Sequence, residues 1–345
     1  MLRRLPLANP ASRFEAARVE YDPGEVPDQG LEIYEDQTHN IIAKNDSPDL
    51  SFSYSLNPYR GCAHGCAYCY ARPSHEYLGF GAGTDFERRL VVKPKAPELL
   101  REAFEQRSWR GELLVFSGNT DCYQPIESRF ELTRRCLEVC LEYKNPVHII
   151  TKGTLIERDI DILAEMGRAG LARVGISLTT LDSSLSRRME PRVPQPARRL
   201  EVIRRLSAAG CPVRVMVAPV IPALTDHELE PILEAARGAG ATSASMIVLR
   251  LPKEVAPLFR DWLAEHYPDR AARVMGRVRD LHGGRDYDAS WGRRFTGQGV
   301  SAALMQQRFR QAKARLGFAD DQPPLRCDLF RPPPHPGDQP DLFSI

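Results

Sequence analysis

Three cysteines in the first quarter of the chain have a spacing suited to binding an inorganic cluster. Within the stretch LNPYRGCAHGCAYCY (56–70), Cys62, Cys66 and Cys69 form a C-x3-C-x2-C pattern. Gly61 and Gly65 precede the first two of them, and glycines let a backbone wrap closely around a small group. An iron–sulfur cube has four irons, but this loop supplies only three thiolates. The pattern predicts a [4Fe–4S] cluster with one iron open to another ligand.

A structural zinc site is the alternative for the same cysteines. With His64 or His75 they would supply the four tetrahedral ligands that zinc prefers. Zinc modules usually take their ligands from two separated pairs, and no second C-x2-C pair follows in this chain. The spacing therefore favours the cluster and leaves zinc as the less favoured interpretation.

The cysteine pattern, with Tyr68 as its aromatic residue, resembles the C-x3-C-x-aromatic-C signature of the radical S-adenosylmethionine (SAM) superfamily. The resemblance implies that the open iron binds the amino and carboxylate groups of SAM. An electron from the cluster then cleaves SAM to methionine and a 5′-deoxyadenosyl radical. It thus implies an enzyme with two cofactors, a [4Fe–4S] cluster and SAM. It also implies a reducing electron donor such as flavodoxin or ferredoxin.

Composition indicates an ordinary soluble protein. Apolar residues make up 42% of the chain and charged residues 27%. The net charge of +2 gives no overall field that would favour nucleic acid or an anionic membrane. Neither the N-terminal stretch nor any later window is apolar enough for a signal peptide or a membrane span. We predict a cytoplasmic protein with no membrane association and with reduced cysteines.

Changes in composition predict four segments. We expect a polar N-terminal strap at 1–50, a core of alternating strands and helices at 51–250, a helical C-terminal extension at 251–321 and a proline-rich, disordered tail at 322–345.

The core contains six apolar runs that alternate with amphipathic helices. The predicted strands are 51–59, 113–118, 147–151, 173–178, 213–220 and 244–249. The predicted helices are 66–77, 96–106, 127–143, 155–167, 197–209 and 227–240. Such alternation indicates an α/β fold with parallel strands, either a doubly wound sheet or a barrel. The superfamily resemblance favours a partial (β/α)6 TIM-like barrel, in which chemistry takes place at the C-terminal strand ends.

Polar residues at those strand ends are the predicted SAM contacts. We assign the second strand end to the SAM amino group, with a plain Asx turn as the alternative interpretation. The third strand end would meet the carboxylate and the fourth the ribose. With Tyr68, the predicted cofactor-binding residues are Ser117, Gly118, Asn119, Thr120, Asp121, Lys152, Ser177 and Thr179.

Further stretches resemble one branch of the superfamily, the spore photoproduct lyase-like (DNA repair photolyase-like) proteins. These stretches are SGNTDCYQPIE, ITKGTLIERD, EPRVPQPARRLEVIRRLSAAG and APVIPALTD, and the likeness covers roughly 30–250. In that branch a cysteine on the second-strand loop returns hydrogen to a repaired thymine dimer. Asn119 stands at the corresponding position here, and Cys122 lies three residues later. Cys122 is thus a candidate hydrogen donor, with an incidental buried thiol as the alternative.

The resemblance makes a nucleic-acid lesion the first candidate substrate. Modification of a small molecule or a protein is the alternative, and a non-catalytic zinc- or cluster-binding protein is a remote third. Among the arginine pairs, those between Arg198 and Arg205 are expected on a solvated helix face because Glu201 lies among them. The segment from Arg187 to Arg192 is the better candidate for contacting an anionic substrate.

The C-terminal tail suggests one protein partner. The segment from Gln339 to Phe343, QPDLF, resembles the Q-x-x-L-F peptide by which bacterial replication and repair proteins bind the sliding clamp. A flexible tail with two adjacent apolar anchors could present such a peptide. The segment at 327–330, CDLF, has the same core without the glutamine.

Overall fold

The computed structural model describes residues 30–319 and 322–332. The strands in these residues are β1 (Glu32–Glu35), β2 (Ile42–Lys44), β3 (Tyr54–Leu56), β4 (Tyr59–Arg60), β5 (Arg89–Val92), β6 (Leu114–Phe116), β7 (Val147–Thr151), β8 (Ala172–Ser177), β9 (Val213–Val220) and β10 (Ser243–Val248).

The α-helices of the same residues are α1 (Thr84–Arg88), α2 (Ala96–Glu105), α3 (Glu127–Phe130), α4 (Leu132–Glu142), α5 (Ile160–Arg168), α6 (Ser183–Met189), α7 (Pro196–Ala208), α8 (Leu229–Gly238), α9 (Val255–His266), α10 (Pro268–Leu281) and α11 (Gly299–Arg315). Short 3-10 helices cover Arg72–Leu78, Leu155–Asp159, Asp226–Glu228 and Cys327–Leu329. None of the helices in this part of the chain combines the length and apolarity that a bilayer crossing requires.

The main sheet has the order β2-β3-β6-β7-β8-β9-β10. Its six strands from β3 to β10 run parallel, and β2 pairs antiparallel with β3 at one edge. A doubly wound sheet would reverse its strand order at a switch point, whereas this order follows the chain without reversal. The sheet is therefore an open (β/α)6 barrel, as predicted. A second, three-stranded sheet has the order β1-β5-β4.

Burial explains why most residues of the parallel strands are apolar, although β7 contains His148 and β9 contains Arg214. Val147 and Ile149 of β7 and Val213 and Val215 of β9 are completely buried. Helices α4, α5, α7 and α8 contribute buried apolar faces to the same core. Because the six strands run parallel, their C-terminal ends lie on one edge of the barrel, where polar loop residues can meet.

The predicted helix at 66–77 is wrong. Residues 66–71 form consecutive turns, and only Arg72–Leu78 is helical, as a 3-10 helix. The carbonyl of Cys66 accepts hydrogen bonds from the Arg72 side chain, at 3.1 and 2.9 Å, rather than from a residue one α-helical turn later. A continuous α-helix would have used that carbonyl internally.

The two terminal segments partly differ from the predictions. In the strap, β1 pairs with β5 and β2 with β3, so its second half extends both sheets.

In the tail, residues 322–332 are ordered against the core, which corrects the predicted disorder there. The ring of Phe330 lies 5.7 Å from Phe104 and 6.4 Å from Tyr143, so the 327–330 segment is anchored within the chain. The clamp-like segment Gln339–Phe343 lies outside the described residues.

Candidate active site

The cysteine loop lies between β4 and the 3-10 helix Arg72–Leu78, at the C-terminal edge of the barrel. Gly61 has a φ of 72°, and an added Cβ there would lie 2.9 Å from the carbonyl oxygen of Phe86. Only glycine fits this turn without strain. Cys62 and Cys66 are buried, and Cys69 is half-buried.

Arg72 holds the loop from within. Its side chain is completely buried, and its guanidinium donates hydrogen bonds to the carbonyls of Cys66, Ala82 and Gly83. The same group forms an ion pair with Glu87 at 2.6 Å. Sequence reasoning missed this role, although Arg72 follows the motif by three residues. A buried arginine satisfied by carbonyls keeps those carbonyls in one place.

Gln124 and Arg192 hold the other side of the loop. Gln124 accepts a hydrogen bond from the backbone N–H of Ala63 at 2.9 Å and donates one to the carbonyl of Gly61 at 3.1 Å. Arg192 donates to the carbonyl of Ala63 at 2.9 Å. The cysteine loop is therefore fixed by Gln124, which follows β6, and by Arg192, which follows α6. Neither residue was assigned this role from the sequence.

Burial dominates the chemistry of the thiols. It raises the pKa of Cys62 well above its ordinary value, with smaller contributions from Asp121 and the neighbouring cysteines. It also raises the pKa of Cys66 to about 12, although Lys152 acts to lower it. The thiols are thus close enough to influence one another. Such a set is costly to ionise unless a metal replaces the protons, which fits a cationic iron core.

The second strand ends in a strained turn. Ser117 has a φ of 70°, a region that residues with side chains seldom occupy. The side-chain oxygen of Asn57 accepts hydrogen bonds from the N–H groups of Asn119, at 2.9 Å, and Thr120, at 3.2 Å. The Thr120 hydroxyl is buried and has no hydrogen-bond partner in residues 30–319 and 322–332. A buried polar group of this kind is suited to a ligand.

Asp121 ties this turn to the third strand and to the cysteine loop. It accepts hydrogen bonds from the Thr151 hydroxyl at 2.6 Å and from the Lys152 N–H at 2.8 Å, and it lies 3.3 Å from His64. Burial acts to raise the pKa of Asp121, but His64, Thr151 and the Lys152 N–H outweigh it and lower the pKa to about 2.

This shift predicts a pH dependence of stability. The folded-state pKa of Asp121 is below the ordinary 3.8, so Asp121 stabilises the fold above about pH 4, and this contribution is lost as pH falls toward 2. Over that range we expect wild-type protein to lose about 2 kcal/mol more than Asp121→Asn. Urea unfolding of cluster-free protein at a series of pH values measures this difference. Identical pH dependences in the two proteins would contradict it.

A buried polar cluster surrounds Glu190, which follows α6. Its carboxylate accepts hydrogen bonds from Tyr68, from Thr179 at 2.9 Å and from Arg199 at 2.6 Å. Burial acts to raise the pKa of Glu190, but Arg199, Lys152 and the two hydroxyls lower it below its ordinary value. This group of buried polar side chains therefore places a carboxylate in hydrogen-bond contact with Tyr68, the aromatic residue of the cysteine motif. Sequence reasoning did not identify Glu190 or Arg199.

Lys152 is at the end of β7, between the cysteine loop and the Glu190 cluster. Its ammonium nitrogen lies 5.7 Å from the centre of the Tyr68 ring. Burial acts to lower the pKa of Lys152, but Cys66, Glu190 and Asp121 outweigh it and raise the pKa. Lys152 thus carries a positive charge beside the thiols, as its predicted role requires.

Cys122 lies on the inner side of the second-strand loop. It is completely buried, its N–H donates to the Ser117 hydroxyl at 2.9 Å, and its carbonyl accepts from Thr133 at 2.7 Å. Burial raises the pKa of its thiol well above the ordinary value. In this conformation Cys122 is part of the core, and a substrate would contact it only after the loop moves.

The two histidines of the zinc alternative have other neighbours. His64 lies beside Asp121, and the ring of His75 lies 5.3 Å from that of Phe80 and 5.5 Å from that of Phe86. Among the described residues, no three histidine, cysteine or acidic side chains converge on a single metal ion.

The surroundings of the arginine pairs differ in part from the prediction. Arg198 and Arg205 reach Glu157 and Glu201 near the surface, as expected for a solvated helix face. Arg199 is buried and paired with Glu190, so the surface interpretation is wrong for it. Arg187 and Arg188 are exposed, whereas Arg192 supports the cysteine loop.

Comparison with known proteins decides the family. The family model of the Radical SAM superfamily matches residues 56–236 of the 345. The chain belongs to the radical SAM superfamily. This radical SAM protein is 39% identical over 252 residues to an uncharacterized protein of Mycobacterium tuberculosis, covering 71% of this chain and 73% of the relative. It is also 29% identical over 175 residues to an uncharacterized protein of Methanocaldococcus jannaschii, covering 51% and 63%.

Solved structures show the same fold. A mutant of spore photoproduct lyase superposes with a TM-score of 0.61 at 16% identity, covering 87% of this chain and 86% of that one. Another mutant of that enzyme, with bound AdoMet (SAM) and dinucleoside spore photoproduct, gives 0.59 with the same coverage. This radical SAM protein therefore has a spore photoproduct lyase-like fold, and it is an enzyme of radical SAM type with a [4Fe–4S] cluster and SAM as cofactors.

Proposed function

We propose that this radical SAM enzyme acts on a nucleic-acid lesion, removing a hydrogen atom as the first step of a photoproduct lyase-like reaction. The observation that supports this substrate class most is the likeness to spore photoproduct lyase over 87% of the chain. When bound and reduced, the cluster supplies the electron that cleaves SAM to methionine and a 5′-deoxyadenosyl radical. The protein's own residues bind the cofactors, orient them and exclude water.

Cys62, Cys66 and Cys69 are the proposed cluster ligands. Their burial around Gly61 and the rigid support from Arg72 and Gln124 favour this assignment. Ligands fixed in this way would hold the cluster at one position relative to the strand ends.

The predicted SAM contacts remain proposals. Lys152 is the proposed partner of the SAM carboxylate, and this is supported by its ammonium nitrogen lying 5.7 Å from the ring centre of Tyr68, within the cysteine motif. The residues from Ser117 to Asp121 would receive the amino group through their carbonyls and carboxylate. Ser177 and Thr179 would meet the ribose. Thr179 is completely buried, and its hydroxyl donates to Glu190 and lies 3.2 Å from the Tyr68 hydroxyl, so a ribose would contact it only after these side chains move.

The role of Lys152 gives a test of SAM binding. We expect Lys152→Met to weaken SAM affinity about tenfold or more, because a charge-assisted hydrogen bond to the carboxylate is lost. Anaerobic calorimetry with the cluster-loaded protein measures the dissociation constant. Lys144→Met, which changes an exposed lysine, is the matched control and should bind SAM like wild type. Equal affinities in all three proteins would remove Lys152 from the SAM site.

The substrate proposal is tested with ultraviolet-irradiated oligonucleotides. Reduced, cluster-loaded enzyme and SAM are incubated with irradiated or untreated strands, and 5′-deoxyadenosine and nucleotide products are followed by chromatography and mass spectrometry. We expect irradiated DNA to accelerate SAM cleavage and to lose a photoproduct. SAM cleavage that no nucleic acid alters would reject this substrate class and favour a small molecule or a protein.

Cys122 remains the proposed hydrogen donor for the product. Its test is isotopic: with solvent-exchanged thiols in D2O, Cys122 should deliver deuterium to the product, and Cys122→Ala should abolish that delivery.

Three further points remain predictions. They are flavodoxin or ferredoxin as the electron donor, the sliding-clamp contact of Gln339–Phe343 and a cytoplasmic location.

A further inference from the structure

Five side chains form a continuous alternation of aromatic rings and guanidinium groups beside the cysteine loop. In order they are Tyr70, Arg250, Phe295, Arg294 and Trp291. The guanidinium carbon of Arg250 lies 4.3 Å from the centre of the Tyr70 ring and 4.5 Å from that of Phe295. That of Arg294 lies 4.6 Å from the centre of Phe295 and 4.2 Å from Trp291. We call this set the arginine–aromatic stack.

The arginine–aromatic stack connects the cluster loop to the surface. Tyr70 directly follows Cys69, and its hydroxyl donates to the Gly118 carbonyl at 2.8 Å. Phe295 accepts a hydrogen bond from Val248, at the end of β10, at 3.0 Å. Both end rings are exposed, Tyr70 by 45% and Trp291 by 56%. An arginine packs against each of these two rings.

The stack is held in place before any ligand arrives. Arg294 donates to Asp49 at 2.7 Å, and the Gly292 N–H donates to the same carboxylate at 2.7 Å. The Ser47 hydroxyl accepts a further hydrogen bond from Arg294. These contacts fix the loop that carries Trp291 and Phe295 against the strap, so little conformational entropy is lost when a ligand binds.

The charge of the stack is only partly balanced. Asp49 pairs with Arg294, whereas Arg250 is half-buried between the Tyr70 and Phe295 rings and, within the described residues, forms no ion pair. Arg293 is exposed, and in the same part of the chain it forms no ion pair. Positive charge next to exposed rings is the combination that binds single-stranded nucleic acid, through phosphates and stacked bases.

We propose that the arginine–aromatic stack binds a single-stranded nucleic-acid segment next to the active site. Bases stack on the outer faces of Tyr70 and Trp291, and phosphates approach Arg250 and Arg293. A paired duplex has no free base faces to offer these rings, so the segment is unpaired. The inference rests on the proposed nucleic-acid function and extends it to a surface outside the reaction pocket.

Binding of a labelled oligothymidylate to anaerobic, cluster-loaded enzyme tests this surface. Fluorescence anisotropy gives the affinity, and tryptophan quenching reports stacking, because Trp291 is the exposed one of the three tryptophans. We expect Trp291→Leu to weaken binding at least about fivefold and to abolish the quenching. Tyr77→Leu removes an aromatic side chain that is 69% exposed and outside the stack, so it should bind like wild type.

The outcomes separate this inference from the proposed function. Equal affinity of wild type and Trp291→Leu, or no binding by wild type, overturns the stack proposal. A Trp291→Leu protein that binds the oligonucleotide like wild type but whose cluster is reduced more slowly by flavodoxin also overturns it. The surface would then serve the electron donor. Acceleration of SAM cleavage by irradiated DNA, measured for wild type and for Trp291→Leu, reports the proposed function independently of binding at the stack.

Discussion

Cys66→Ala is expected to lose the iron–sulfur cluster and to form no detectable 5′-deoxyadenosine from SAM. Two remaining thiolates hold a cube poorly, and SAM cleavage requires the electron that the cluster delivers. Iron and sulfide per chain after anaerobic reconstitution, the visible absorption spectrum and chromatographic quantification of 5′-deoxyadenosine measure the effect.

Cys140→Ala is the matched control for this substitution. Cys140 is also a buried free cysteine, but it lies on α4 in the apolar core. We expect Cys140→Ala to retain wild-type iron content and SAM cleavage, with only a modest loss of stability from the smaller side chain. A Cys66→Ala protein that kept its full cluster and its activity would remove Cys66 from the ligand set.

Glu190→Gln is expected to lower the free energy of unfolding by about 3–5 kcal/mol. The substitution keeps the size of the side chain but leaves the Arg199 guanidinium, 1% exposed, without its carboxylate. It also weakens the acceptor for Tyr68 and Thr179. An uncompensated buried charge is among the largest single costs that a fold can carry. Urea unfolding at neutral pH measures it.

Two further variants show that charge burial is the cause. Glu201→Gln on α7 removes a carboxylate from an exposed ion pair with Arg205, so its effect on the free energy of unfolding should be far smaller than that of Glu190→Gln. Adding Arg199→Met to Glu190→Gln removes the stranded cation and should recover part of the lost stability. If Glu190→Gln cost no more than Glu201→Gln, the buried pair would not be the stabilising contact.

The strands of the barrel could be predicted because their signal is local. Strands covered by helices are mostly apolar, and β7 and β9 begin and end at the predicted residues. The predicted strand at 51–59 is instead divided between β3 and β4, which lie in different sheets. The helix predicted at 66–77 failed for one local and one distant reason. The carbonyl of Cys66 accepts from the side chain of Arg72 within the same segment, and the N–H of Ala67 donates to the carbonyl of Met189, far away in the chain.

The candidate site was predictable where residue type alone specifies chemistry. Three cysteines at this spacing and a lysine that ends an apolar strand are such cases. Gln124, Glu190 and Arg199 were missed because their roles depend on partners from distant segments. Gln124 reaches Gly61 and Ala63, and Glu190 reaches Tyr68. A buried ion pair and a solvated one have the same residue types, so a charge pattern does not distinguish Arg199 from Arg205.

We expect this radical SAM protein to bind SAM at its [4Fe–4S] cluster and to cleave it. The most direct measurement is anaerobic reconstitution to a full cluster, reduction, electron paramagnetic resonance with and without SAM, and quantification of 5′-deoxyadenosine. We predict that SAM changes the resonance of the reduced cluster and that 5′-deoxyadenosine accumulates. A protein with its full cluster whose spectrum SAM leaves unchanged, and which forms no 5′-deoxyadenosine, would contradict the account.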